Sequence, residues 1–416
     1  MKKFWKNYKD TIILVLAIVI GAVVGVYWGE GAKVLSPLGD IFLNLMFIVI
    51  VPLIFLTVTS SIAKMSSPKR MGKIMTWILI MFVVTSLVAV AVGLVTTLNI
   101  DLVNVSDKGA IAEEFITEGA ELAEEDLSIL ERTVQVITVG DFVDLFSRQN
   151  LIALLLVSVL VGISINLTGE KAKPLTDVLV ASNTVLMKVI KIIMYYAPIG
   201  LGCYMAALVG TFGGEIANGF LRTFIIYTVI AVAFYFVMYS IYAFIAGGFR
   251  GFKEFWKNVI PSTVTSIATC SSAASIPVNV QTAKNIGVSD DIAETCIPLG
   301  TSFHKDGSII GSVFKIMFLV CLFGADMSTA GLAKIIVVAL IANLLVMAVP
   351  IGGGTISEML IITMMGFSMT SLPILAIIAT IIDPAATLLN VVGDTSSSMM
   401  VARVVDGKDW MNKKKE

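Results

Sequence analysis

Six continuous apolar runs occupy 11–28, 41–63, 75–98, 150–167, 178–212 and 219–246. Each approaches or exceeds the length a helix needs to cross about 30 Å of hydrocarbon, so each predicts a membrane span. After residue 246 the pattern changes, and Ser, Gly, Pro, Asp and Lys interrupt the hydrophobic segments. Two units of one design follow. The first has a Ser-rich tip, Thr269-Cys-Ser-Ser-Ala-Ala-Ser-Ile-Pro277, then a helix interrupted at His304-Lys-Asp-Gly-Ser308. The second has a Gly-rich tip, Pro350-Ile-Gly-Gly-Gly-Thr355, then a helix interrupted at Asp383-Pro384. Such a recurrence is expected of inverted repeats that meet near the bilayer midplane. Tips of small residues suit re-entrant hairpins, because exposed backbone can then approach a ligand closely. Small residues also permit tight helix packing, which accounts for Gly21 and Gly25 but not for a tip followed by buried charge.

Composition agrees with the pattern. Of 416 residues, 57% are hydrophobic and 14% charged, well below the quarter or so usual in soluble domains. The chain reads as an all-α polytopic membrane protein. A net charge of −1 without a basic tract gives nucleic acid no footing. Cys203, Cys270, Cys296 and Cys321 are scattered through apolar stretches and read as packing residues rather than disulfides or metal ligands. His304 is the sole histidine, so a His cluster or a conventional triad has little to draw on. The basic N-terminus runs into the first apolar stretch without a small-residue cleavage site and reads as a retained span.

Positive charges set the orientation. Lys2, Lys3, Lys6 and Lys9 precede the first span, and Lys64, Lys69, Arg70 and Lys73 follow the second. Lys171 and Lys173 follow the fourth, Arg250, Lys253 and Lys257 the sixth, and Lys413 to Lys415 end the chain. Both termini are thus expected in the cytoplasm, in an inner or plasma membrane. The connection 99–149 falls outside, and its acidic run from Glu113 to Asp126 reads as a solvated loop.

The densest chemistry lies in Asp383-Pro-Ala-Ala-Thr-Leu-Leu-Asn390-Val-Val-Gly-Asp394. Ionisable groups at membrane depth cost roughly 2.5–3.5 kcal/mol each on insertion scales, so they mark a substrate or ion pathway. Pro384 denies the helix a regular hydrogen bond and frees a carbonyl. Buried acids beside freed carbonyls suit a site for cations and a zwitterion.

At these residues the sequence resembles the dicarboxylate/amino acid:cation symporter family, the prokaryotic glutamate-transporter homologues. The family has a Ser-rich tip, an N-M-D-G-T break, a Gly-rich second tip and D-x-x-R-T-x-x-N-x-x-G-D in the last helix. Here the last motif reads Asp383-x-x-Ala386-Thr387-x-x-Asn390-x-x-Gly393-Asp394, and the first break His304-Lys305-Asp306-Gly307-Ser308. Ile297-Pro-Leu-Gly300-Thr-Ser302 and Tyr196-Ala-Pro-Ile-Gly200 are also similar, so the likeness spans nearly the whole chain. It implies eight transmembrane helices plus two re-entrant helical hairpins, in a homotrimer. Six helices would fill 1–257, the third and sixth joining the transport region. That region would hold hairpin 1 at about 258–289, the seventh helix at about 291–322, hairpin 2 at about 336–373 and the eighth helix at about 374–406, before a cytoplasmic tail at 407–416. An elevator mechanism would carry it across the membrane as a unit.

The resemblance also assigns residues. Asp383 would bind a substrate ammonium, and Asn390, Ser271 and Ser272 its α-carboxylate. Backbone at Gly353, Gly354 and Thr355 would close over the ligand, with Thr387 and Ser308 facing the side chain. Asp394, Asn390 and the Gly300 carbonyl match one sodium position; Asp306, Thr85 and Ser86 match a second, and Ser302 is a further candidate ligand. No resident cofactor is implied, only sodium or a proton as coupling ion. Two departures alter the expectation. Ala386 stands where acidic-substrate members carry arginine, so a side-chain carboxylate would be buried unpaired, and a neutral amino acid is expected. Lys305 as a substitute cation would instead permit an acidic amino acid or dicarboxylate. His304 and Lys305 replace an asparagine and a methionine, so at least one sodium position is expected to be lost, with proton-coupled or sodium-independent transport the consequence. Lys305 reaching to water is the plainer alternative. Lys315 and Glu358 are further charges in apolar surroundings and receive no role.

Other classes fare worse. Gly393-Asp394 is half of an intramembrane aspartyl protease motif, but Val391 stands where its first glycine belongs. A channel is separated from a transporter by saturable, gradient-driven accumulation. No phosphate-binding loop suggests ATP-driven transport.

Overall fold

A computed structural model describes residues 2–63, 69–103, 138–147, 150–212, 214–325, 327–344 and 353–412. The acidic run Glu113–Asp126, the first half of the second tip and Lys413–Lys415 lie outside them. All regular structure in the described residues is helical. Helices α1 (Lys2–Trp28), α2 (Ser36–Ala63) and α3 (Lys69–Thr97) are followed by α4 (Leu151–Thr168), α5 (Lys173–Met194), α6 (Ala197–Phe212) and α7 (Gly214–Asn258). α8 (Ile260–Thr269) packs on α9 (Ser272–Ile286), and α12 (Thr329–Leu344) on α13 (Gly353–Met365), the helix pairs that fall where the two hairpins are expected. Between them lie α10 (Asp290–Phe303) and α11 (Asp306–Phe323), and α14 (Leu372–Val405) closes the set. Among the described residues, five helical stretches are long and apolar enough to cross a membrane: Ile12–Phe42, Lys73–Thr97, Ile216–Asn258, Asp290–Phe323 and Met369–Val405.

Two sequence expectations need correction. The run 178–212 is not one helix but two, parted at Tyr195-Tyr196. There the N–H groups of Tyr195 and Tyr196 donate to Ile192 and Ile193, a tightened last turn, and Pro198 has no N–H with which to continue the ladder. The last helix is not interrupted at Asp383-Pro384, because α14 runs unbroken through both. One missing proline N–H is tolerated where surrounding helices hold the segment in place.

The layers divide by polarity. α11 is buried along almost its whole length, Asp306 and Lys315 included, as is α14 from Ala386 to Ala402. Around them α1, α2 and α5 turn apolar side chains outward, Ile48 and Ile192 among them, as lipid surroundings favour. Gly21 and Gly25 lie where a side chain would strike the backbone of α6, at Gly202 and Ala206, so α1 and α6 cross in backbone contact. α7 kinks at Gly247 and Gly248, the latter at φ +60°, where the apolar run 219–246 ends. Trp410 is buried in the kink and donates from Nε1 to Ala246 O at 2.9 Å.

Candidate functional site

The break in the first unit is two residues long. His304 (φ −124°, ψ 116°) is extended and Lys305 (φ −147°, ψ 73°) is non-helical between α10 and α11, and α11 begins at Asp306. Leaving the helix delivers His304 into a set of groups from three other helices. Its Nδ1 lies 3.0 Å from Asp394 Oδ1 on α14. Its Nε2 lies 2.7 Å from Thr85 Oγ1 on α3 and 3.1 Å from Asp306 Oδ1. Thr85 Oγ1 gives its own proton to the carbonyl of Met81 or Phe82, so it presents a lone pair to the ring. Both ring nitrogens therefore face acceptors, the setting of an imidazolium donating twice. Phe82 stacks on the ring, centroids 4.5 Å apart and planes 13° apart. His304, Asp306 and Asp394 are all fully buried.

Glycines make this packing possible. A side chain at Gly300 would overlap the Asp394 carboxylate, and one at Gly393 would crowd Asp306, Tyr239 and His304. The Gly300 carbonyl accepts the His304 N–H at 2.8 Å. Gly307 meets the backbone of Ala386, which brings α11 and α14 into direct contact. That contact aligns Ser308 with Asn390: the Ser308 N–H donates to Asn390 Oδ1 at 3.1 Å, and Asn390 Nδ2 donates back to Ser308 Oγ at 3.0 Å.

Asp383, Ala386, Thr387 and Asn390 recur at i, i+3, i+4 and i+7, one face of α14. Thr387 Oγ1 donates to Asp383 Oδ1 at 3.3 Å, and Ala386 is buried. Lys305 is buried too, rather than reaching to water, and feels the charges of both Asp383 and Asp394. Ser271 caps α9, accepting from the Ala274 N–H at 3.2 Å, beside Cys270 in a left-handed conformation (φ 45°); Ser272 is the first residue of α9. Gly353, Gly354 and Thr355 open α13, and Ser302 lies in the last turn of α10. Ser86 Oγ is buried without a hydrogen-bond partner and is an oxygen available to a cation, whereas Asp306 Oδ1 faces the His304 ring.

Several residues escaped the sequence. Tyr239 of α7 donates to Leu389 O at 2.6 Å and reaches Asp306 Oδ2 at 3.3 Å. Tyr227 donates to Gly307 O at 2.7 Å, and Thr301 lies 3.5 Å from Asp394 Oδ2. Asn279 of α9 donates to Val391 O at 2.8 Å and accepts from Thr395, tying α9 to α14 on either side of Asp394. A tyrosine or asparagine inside an apolar run was the only available signal.

A profile of the sodium:dicarboxylate symporter family matches residues 11–404. Among similar proteins, a C4-dicarboxylate transport protein of Bacillus subtilis is 26% identical over 408 residues, 96% of this chain and 94% of the relative. One from Pseudomonas syringae pv. tomato is 28% identical over 412 residues, 95% and 86% of the two chains. A proton/sodium-glutamate symport protein of Geobacillus stearothermophilus is 24% identical over 415 residues, 97% and 95%.

Proposed function

The chain belongs to the sodium:dicarboxylate symporter family, and from that premise we propose that it takes up an α-amino acid with a neutral side chain by cation-coupled symport. It is a membrane transporter and not an enzyme, so Gly393-Asp394 is no protease half-site. The observation that carries the substrate reading is the face of α14. Asp383 offers a carboxylate to an ammonium group, Thr387 and Asn390 offer a hydroxyl and an amide, and Ala386 is buried against the Gly307 backbone. No guanidinium stands where a side-chain carboxylate would seek one, and a buried unpaired carboxylate is costly.

A second reading has its own support. Lys305 is a buried cation within electrostatic reach of Asp383 and Asp394, and relatives are named for C4-dicarboxylates and glutamate. In that reading Lys305 receives the distal carboxylate of an acidic amino acid or dicarboxylate.

The coupling reading rests on His304. Its ring fills the space between Asp306 and Asp394, where the family likeness puts sodium ligands, and supplies donors to both carboxylates. Sodium is thus replaced by fixed groups where the ring meets Asp394, Asp306 and Thr85, and Ser86 Oγ is the unpartnered oxygen left for an ion beside them. Transport then requires fewer sodium ions than the family pattern implies, or none, with a proton gradient the other candidate drive. The homotrimer, the elevator movement, eight spans and cytoplasmic termini complete the proposal. The outward apolar faces of α1, α2 and α5 fit it.

Uptake into proteoliposomes tests these readings, using L-serine, L-alanine, L-aspartate, L-glutamate and succinate under separately imposed sodium and proton gradients. A neutral amino acid should accumulate. Asp383→Asn removes a hydrogen bond to a charged group, about 1.5–3 kcal/mol, and should weaken that substrate about tenfold or more. Ala386→Arg should shift preference toward aspartate. Accumulation of succinate, indifferent to Asp383→Asn, defeats the neutral amino acid reading.

A further inference from the structure

Two interior charges play no part in the site as described. Lys315 on α11 and Glu358 on α13 are 5% and 1% exposed, and Nζ lies 3.3 Å from Oε1. Beside them Ser312 Oγ is 3.4 Å from Ser357 Oγ and accepts from Asn343 Nδ2 at 2.8 Å. Ser312 and Lys315 share a face of α11 at i, i+3; Ser357 and Glu358 are neighbours on α13; Asn343 comes from α12. One polar patch therefore joins α11 to both α12 and α13.

Its surroundings are apolar and nearly featureless. Val313 and Ile316 of α11 and Met359, Ile361 and Ile362 of α13 are fully buried. Helix ridges repeat every turn, so such surfaces pack almost as well after a slip of one turn. Inside a bilayer no difference in water exposure opposes the slip. A buried ion pair adds little stability over apolar residues of equal volume, and its best-attested use is to specify register. Stability alone does not account for Lys315 and Glu358.

We infer that the Lys315–Glu358 pair sets the register of α13 on α11 and so positions the first turn of α13 at the substrate. Glu358 lies five residues beyond Gly353 in a helix of thirteen residues. At about 1.5 Å per residue, a shift at the pair reaches Gly353, Gly354 and Thr355 undiminished. These are the residues placed over the ligand in the functional reading above, on which this clause rests. Lys315 and Glu358 are positioning residues. Lys315 also acts electrostatically on Asp383, so the test separates register from charge.

In a background lacking Cys203, Cys270, Cys296 and Cys321, copper-phenanthroline oxidation is followed in membranes for two engineered pairs. Ser312→Cys with Ser357→Cys reports the register seen here, and Ser312→Cys with Ile361→Cys reports a one-turn slip. With Lys315 and Glu358 intact, the first should cross-link about tenfold faster than the second, a preference of roughly 1.4 kcal/mol. In Lys315→Met/Glu358→Leu that preference should shrink to about twofold or less, and Lys315→Glu/Glu358→Lys should restore it. An undiminished preference without the charges overturns the inference. Should the apolar variant fail to accumulate, the charge-reversed protein decides, because loss of the preference there overturns it as well.

L-serine uptake with the native cysteines supplies the functional arm. The apolar variant should keep its melting temperature and raise KM about tenfold, and an unchanged KM removes register control of the site. If the unaltered protein does not carry L-serine, the substrate reading fails while the cross-linking still decides the register.

Discussion

In the first unit the chain leaves the helix at His304 and Lys305; in the second, α14 carries Asp383 and Pro384 through without a pause. The sequence marks both places as breaks, one by charge and one by proline. Only the charged one becomes a break. A proline forfeits one hydrogen bond to the carbonyl four residues back, and a helix held on all sides absorbs that. His304 has a heavier demand: its two nitrogens must meet Asp394, Asp306 and Thr85, which come from three helices. Non-helical backbone at His304 and Lys305 meets it, because the ring is then free of the helix's own side-chain spacing. In this interior, side-chain partnership rather than backbone chemistry decides where a helix stops.

The hardest test of that contrast is His304→Ala. It leaves Asp306 and Asp394 buried without the donor between them, and stripping one partner from a buried charge network costs about 3–5 kcal/mol. Thermal unfolding in detergent should show a large loss of stability. Sodium chloride should recover part of it and choline chloride should not, since a small cation can re-occupy the space between the carboxylates. His304→Asn, which restores an oxygen ligand, should show the same sodium-specific recovery from a smaller loss. Equal behaviour in both salts sinks the idea that the ring stands in for an ion.

Gly307→Ala should do less damage. The new methyl group meets the Ala386 backbone, so α11 and α14 must part. Overpacking of this kind costs about 1–3 kcal/mol. Parting the helices also lengthens both Ser308–Asn390 hydrogen bonds, so substrate affinity should fall along with the melting temperature. A drop in stability with unchanged KM says that the α11–α14 contact supports the fold but not the site.

What the sequence disclosed follows the same division. Asp306, Asp383 and Asp394 were legible because a carboxylate in an apolar run has to find a partner or a ligand. The end of the run 219–246 was legible as well, since hydropathy stops where Gly247 and Gly248 bend α7. The turn at Tyr195-Tyr196 was not, because hydropathy continues straight across it and only Pro198 hints at a change. Nor were Phe82, Tyr227, Tyr239 and Asn279, ordinary residues of helices. Their roles exist only once α3, α7 and α9 are packed against α11 and α14.

The smallest expected effect tests the second unit. Pro384→Ala restores the N–H that can donate to the Thr380 carbonyl, in a helix that is already continuous. The gain should be at most one ordinary hydrogen bond, about 0.5–1.5 kcal/mol, seen as a slight rise in melting temperature. Uptake should keep its KM, because Asp383 and Thr387 already lie one helical turn apart, with Thr387 bonded to Asp383. A collapse of uptake would mean that the carbonyl left free by Pro384 is itself a ligand. The second unit would then share the logic of the first, with oxygen atoms released for an ion, and the contrast between the two breaks would shrink to one of degree.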